Sequence, residues 1–426
     1  MSKNMVNALP ELITQGLITQ ESADKIKAYY KQKEQQQPQR TTIVFGILGS
    51  MLVGLGIILI VAHNWDNFSR PVKVIFSFLP LIAGQLFCGY TLFKKQDNRI
   101  WKESSAVFLI FAVGASIALV AQIYNISGNP GSFLFTWMLL CFPLIYIMPS
   151  SMASLLYLAG ITAFAVYDGY GYRAEKTYHY WWLLLLVIPH YLLLIKKYPE
   201  SNFTFFHHWV LPVSLTICLA TLATTAGEYL FIAYMSLFGA FYLLGVSGWF
   251  NYKRIISNGY LIIGSLGTMC ILLLLSFKWF WTSLANENNI LSIGELLAIF
   301  VPSIFACVLL FKNIENRGSN PINPMGFIFI LFAGIFFIGL SAPLLGVILM
   351  NLLVLAAAIF TMQLGQKFNH LGILNYGLLI IAVLVLCRFF DTDISFVVRG
   401  LLFVAVGAGF FFANSQFIKK RKQYEL

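Results

Sequence analysis

The sequence predicts an all-α polytopic membrane protein with about fourteen transmembrane helices, within a range of twelve to fourteen, preceded by a short N-terminal helical hairpin. Three observations predict it. Of 426 residues, 59% are hydrophobic and only 11% are charged, against roughly half and a quarter in soluble domains. The mean hydropathy is +0.77, which in water would leave large apolar patches exposed. The apolar runs last about 17–22 residues, close to the ~20 that cross a ~30 Å hydrocarbon core as helix. They lack the ~10-residue alternation of a transmembrane barrel.

Taken in order, residues 1–36 read as a cytosolic hairpin and 37–41 as a linker. In the hairpin Val6, Leu9, Leu12 and Ile13 fall at helical spacing, Gly16 suits the left-handed residue that ends a helix, and Thr19 suits the cap of a second. Glu21 and Asp24 sit near the positive end of that second helix, and Ala23, Ile26 and Tyr30 supply its apolar stripe. So small a unit buries little surface alone. It is expected to dock on the membrane domain, to self-associate, or to bind a membrane-protein partner. Residues 1–41 are polar and charged, so the run beginning near Thr42 is expected to act as an uncleaved anchor.

Spans follow at 42–62, 72–92, 104–123, 132–148, 151–167, 179–195, 208–226, 229–249, 256–277, 291–311, 325–340, 343–361, 371–387 and 394–412, with a basic tail at 413–426. The turns around Pro149 and Ser341–Pro343 are so short that each flanking pair reads equally as one bent element or a re-entrant hairpin. Gly46, Ser50 and Gly54 form a small-residue stripe that admits a neighbouring helix.

Sidedness rests on charge. Of the 28 Lys and Arg, 21 fall on the side of the N-terminus and seven opposite. That bias predicts cytosolic N- and C-termini and an even number of spans. The net charge of +11 is therefore read as a topology signal and as attraction to anionic lipids at the cytosolic face, to which the tail Lys419-Lys420-Arg421-Lys422 contributes. No nucleic-acid partner is expected, since no basic domain exists to carry one. The six cysteines each fall in a separate apolar segment without CxxC spacing, and read as small buried hydrophobes.

Polar side chains gather at the outer boundary. His63, Asn64, Trp65, Asp66 and Arg70 lie between spans one and two. Gln122, Tyr124 and Asn125 end span three, and Arg388, Asp391, Asp393 and Arg399 mark the last hairpin. Two readings stay open: a pocket in which arginines hold an anionic group and aromatics stack on a sugar or lipid head, or an aromatic belt with Arg–Asp pairs stitching hairpins together. His207-His208 is read as part of a cytosolic loop rather than a metal site. The midplane holds no Asp, Glu, Lys or Arg, and Asn351 is its clearest polar residue. P-loop, nucleophile-elbow and HExxH motifs are absent. No cofactor, metal or catalytic residue is therefore expected. The expectation is a non-enzymatic envelope scaffold, sensor or assembly factor. The alternative is a transporter or flippase for an amphipathic or anionic envelope precursor.

The stretch Gly16-Leu17-Ile18-Thr19, the segment Ala62-His63-Asn64-Trp65-Asp66, the stretch Ala121-Gln122-Ile123-Tyr124 and Trp137 together resemble a bacterial family of multi-pass predicted membrane proteins, DUF2157. The resemblance is specific over residues 1–165 and general beyond. Arg388–Asp391 and Arg399-Gly400 are similar to the last hairpin of longer members. The resemblance implies a bacterial cytoplasmic membrane and no established activity, so no functional residues carry over from it.

Overall fold

The structure is a computed structural model. It describes residues 9–10, 12–35, 65–170, 178–223, 227–248, 255–284, 291–316 and 324–391, with isolated positions between 397 and 411. Every regular element among them is a helix. The expected first span, 42–62, and most of the last, 394–412, lie outside the described residues. So do His63, Asn64, Asp393 and Arg399 and the side chain of Asp391. The chain divides into two units, Met1–Phe76 and Ser77–Leu426.

In the first unit, Leu12–Thr14 are helical, Gly16 is left-handed at φ +71°, and Thr19 precedes α1, Gln20–Gln35. Thr19 Oγ1 accepts from Ser22 N at 3.3 Å, and Lys25 pairs with Glu21 at 2.7 Å. Leu9 and Ala23 are buried. Trp65–Asn67 form a single 3₁₀ turn before α2, Arg70–Lys94.

The second unit continues α2 and adds α3 (Arg99–Ile123), α4 (Pro130–Cys141), α5 (Leu144–Ile147), α6 (Ser151–Tyr170), α7 (His179–Lys197) and α8 (Asn202–Leu219). Then come α9 (Leu230–Val246), α10 (Gly259–Leu274), α11 (Lys278–Leu284), α12 (Ile293–Asn316), α13 (Ile328–Ser341), α14 (Pro343–Lys367) and α15 (Leu371–Asp391). Among the described residues eleven stretches are long and apolar enough to cross a membrane, or twelve if the bent pair α10–α11 is one span. The pairs around Pro149 and Ser341–Pro343 are each two separate helices packed on one another.

Short polar caps set the ends. Asn98 accepts from Ile100 N and Trp101 N at the start of α3, and Asn129 accepts from Ser132 N beside Pro130 at the start of α4. Asn125, at φ 51°, takes the left-handed conformation that stops α3. Ser292 and Glu295 bond reciprocally at the start of α12, a capping box.

Two hubs organise the packing. α6 touches α3, α4, α7 and α8, while α9 touches α10, α12 and α13. α8 packs on α10, α10 also meets α14, and α14 meets α15. The expectation that all six cysteines are buried is corrected. Cys88, Cys141 and Cys218 are buried, but Cys270 is exposed and Cys307 and Cys387 are half-buried, because their helix faces are only partly covered by neighbours among the described residues.

Trp281 of α11 is 0% exposed, wedged where α13 meets α14. A Cβ on Gly346 would come within 2.7 Å of Gly339 Cα, and one on Gly339 would collide with the Trp281 ring. The helices approach this closely because both positions lack a side chain. Gly339→Ala is expected to lower stability by about 1–3 kcal/mol, the usual cost of overpacking. A fall in the thermal unfolding midpoint in detergent would register it.

Candidate functional site

Two polar sites sit at opposite ends of α10. At its C-terminal end the helix stops at Leu274 and the chain turns by 83° into α11. A helix end frees carbonyls that need partners, and here other elements supply them. Trp281 Nε1 donates to Leu275 O at 2.7 Å, and Asn351 Nδ2 donates to Ser276 O at 3.1 Å and to Val347 O at 2.7 Å. Arg388 Nη2 donates to Ser276 Oγ at 3.0 Å, with its guanidinium 4.7 Å from the centre of the Phe277 ring. A cation beside the negative end of a helix dipole is stabilising by up to about 2 kcal/mol when partly buried. α11, α14 and α15 are thereby fastened to one break in α10.

The other site surrounds the N-terminal end of α10. Tyr260 OH is 3.0 Å from Tyr191 OH, which is 2.7 Å from His208 Nδ1. The Tyr191 ring stacks on His207 at 5.9 Å. His207 Nδ1 lies 2.7 Å from the Phe203 carbonyl, so this nitrogen carries the proton and Nε2 accepts from Ser154 Oγ at 2.9 Å. His190 lies 6.2 Å from His207 and 6.4 Å from Tyr146, ring centre to ring centre, with its Nε2 buried and lacking a hydrogen-bond partner among the described residues. At the edge, Glu103, with a side chain 13% exposed, accepts from Ser150 Oγ at 2.5 Å, Ser151 N at 3.1 Å and Met152 N at 2.8 Å. Its carboxylate thus caps the positive end of α6. Chemically, Tyr260, Tyr191 and His208 form one run of hydrogen-bonded side chains, and the Ser154–His207 pair joins it by ring stacking on Tyr191.

The expectation that His207-His208 lies in a solvated loop is overturned. Both are inside α8 and buried, His207 at 0% exposure. Ser201 caps the helix, accepting from Phe203 N, and starts it at Asn202 rather than at 208. That serine was the available signal. Glu103, His190, Tyr191 and Tyr260 carried no comparable mark.

The described members of the expected outer cluster each sit at or beside a helix end. Trp65 and Lys73 form a cation–π pair at 5.7 Å, with Asp66 and Arg70 exposed nearby in the chain. Gln122, exposed Tyr124 and left-handed Asn125 end α3, in the α6 group. Arg388 belongs to the α10–α14–α15 group. Among the described residues no three His, Cys, Asp or Glu side chains are placed to hold a metal ion.

Trp137 Nε1 donates to Ile110 O at 2.7 Å, and a Cβ on Gly114 would meet its ring at 2.6 Å, so α3 and α4 interlock at a tryptophan and a glycine. Residues 10–154 match the family model described as Predicted membrane protein (DUF2157). The DUF2157 segment contains the Trp137 lock, the Asn98 and Asn129 caps and Glu103. It covers about a third of the chain. No curated protein and no solved structure matches the chain. The chain is an integral membrane protein.

Both sites predict stability effects. Asn351→Leu keeps the branching of the side chain but strips a donor from Ser276 O, and Ser154→Ala leaves His207 Nε2 without its donor. Each is expected to cost about 0.5–2 kcal/mol, the range for interhelical hydrogen bonds in membranes. Denaturation in mixed micelles measures both.

Proposed function

We propose that this protein is a non-enzymatic scaffold, sensor or assembly factor of the bacterial cell envelope, resident in the cytoplasmic membrane with both termini in the cytosol. One observation carries the reading: polar side chains at depth are bonded to neighbouring helices. Asn351, about 12 Å along α14 at 1.5 Å per residue, gives its amide to two carbonyls. Ser214 of α8 joins Thr162 of α6 at 2.6 Å and Tyr180 of α7 at 2.7 Å. Ser303 of α12 donates to Ser236 of α9 at 2.8 Å. Such bonds hold helices in fixed places, which suits a rigid platform better than a carrier that must slide. The N-terminal hairpin is the contact this reading assigns to a cytosolic partner or to a second copy.

The break in α10 favours a second reading, a transporter or flippase for an anionic envelope precursor. Interrupted helices often frame substrate sites. Against it, carbonyls freed at the break are bonded by Trp281 and Asn351.

Labelling decides between them. In a variant lacking its native cysteines, Asn351→Cys and Gln122→Cys are made singly and exposed in membranes to a soluble maleimide. The scaffold reading expects Asn351→Cys to stay unlabelled from both sides. Labelling there would reveal a wet path and favour transport.

A further inference from the structure

Arg99 opens α3 at the end of the second unit where two loop turns meet. Its guanidinium lies 5.2 Å from the centre of the Tyr198 ring and 5.0 Å from that of Phe203, so residues from the α7–α8 turn hold it in place. It is 3.7 Å from Glu103, within ion-pair range but beyond hydrogen-bond reach. Glu103 takes its hydrogen bonds from residues 150–152 instead. Among the described residues no hydrogen bond to the Arg99 side chain is found, and that side chain is 45% exposed. A planar fork of five donors is therefore oriented by aromatic contact, with its hydrogen-bonding capacity open.

The surroundings fit one ligand class. Lys94, Lys95, Lys102, Lys196 and Lys197 lie at or beside these turns, against the acids Asp97, Glu103 and Glu200. Phe93 and Ile100, on either side of the α2–α3 turn, are exposed and apolar. Lys95 lies over the Trp101 ring at 5.9 Å, and Trp101 packs on Tyr90, an aromatic rim of the kind that sits at headgroup level. A fixed arginine matches a phosphate in two-pronged fashion. Exposed apolar residues beside it match acyl chains.

We propose that Arg99 is the phosphate ligand of a specific anionic phospholipid site at the α2–α3 and α7–α8 turns. The site depends on the chain being embedded in a bilayer and not on the scaffold reading, so the labelling experiment and this one fail separately. Its ligand chemistry, a phosphate monoanion, is shared by a free phosphate. The flanking apolar residues assign it to the lipid.

The full-length protein is placed in nanodiscs of phosphatidylglycerol mixed with phosphatidylcholine, released into mild detergent, and its retained lipid counted by native mass spectrometry. Wild type is expected to retain phosphatidylglycerol preferentially. Arg99→Gln is expected to lose about fivefold in that retention, the worth of one basic side chain at a membrane surface. Arg99→Lys should fall between, since an ammonium keeps the charge without the fork. Lys196→Gln removes a charge from the same end and should lose less than Arg99→Gln. Equal retention of both lipids by wild type overturns the proposal without any variant having to fold. Equal losses from Arg99→Gln and Lys196→Gln overturn it by reducing the site to a diffuse field. Inorganic phosphate that stabilises the protein in phosphatidylcholine as strongly as phosphatidylglycerol does would assign the site to a soluble anion and overturn the lipid reading.

Discussion

A polar group buried in hydrocarbon must find its partner within the protein, because no water is there to supply one. That constraint shapes this molecule more than any apolar contact does. Lipid tails are as apolar as leucine, so burying leucine between helices gains little over leaving it in lipid. Position is therefore set by close approach at small residues and by hydrogen bonds between helices. α6 and α8 show the pattern along their length. Ser154 meets His207, Thr162 meets Ser214, and Tyr170 donates to the Ile217 carbonyl at 2.6 Å. The α6 partners recur every eight residues, a step of about 80° around the axis at 3.6 residues per turn, so they wind around the helix rather than line one stripe.

α10 extends the same logic across the domain. Its first turn carries Tyr260 into the tyrosine–histidine belt, and its last turn ends at carbonyls bonded from α11 and α14. Asn258, its cap, also donates to Gly245 O of α9 at 2.8 Å. A helix fastened at both ends and at its cap is held in register with the neighbours that bond it.

What the sequence made legible was local. Gly16 and Thr19 marked the first turn because left-handed backbone and capping depend on neighbours a few residues away. Apolar runs located most spans because hydrocarbon thickness fixes their length. The 83° turn after Leu274 was hidden: Phe277 and Lys278 read simply as the end of a span, and the bend depends on Trp281 fitting between Gly339 and Gly346. Arg388 was recognised as out of the ordinary, but Ser276 is 112 residues away and periodicity says nothing about such pairs. His207 and His208 were missed for a different reason. Hydropathy ranks Asn202–Trp209 as polar, although the Ser201 cap starts a helix there. DUF2157 similarity covers the first part of the chain, so neither site at α10 was marked by it in full.

The central claim is that hydrogen bonds between helices, rather than apolar burial, fix the arrangement. A double-mutant cycle on Tyr180→Phe and Ser214→Ala tests it most directly, since the two hydroxyls are 2.7 Å apart and the cycle cancels the separate loss of the Ser214–Thr162 bond. Unfolding free energies in mixed micelles should give a coupling of at least about 0.6 kcal/mol, the average for such bonds inside membranes. Strictly additive single effects would mean that the pair contributes nothing, and that the helices are held by some other means.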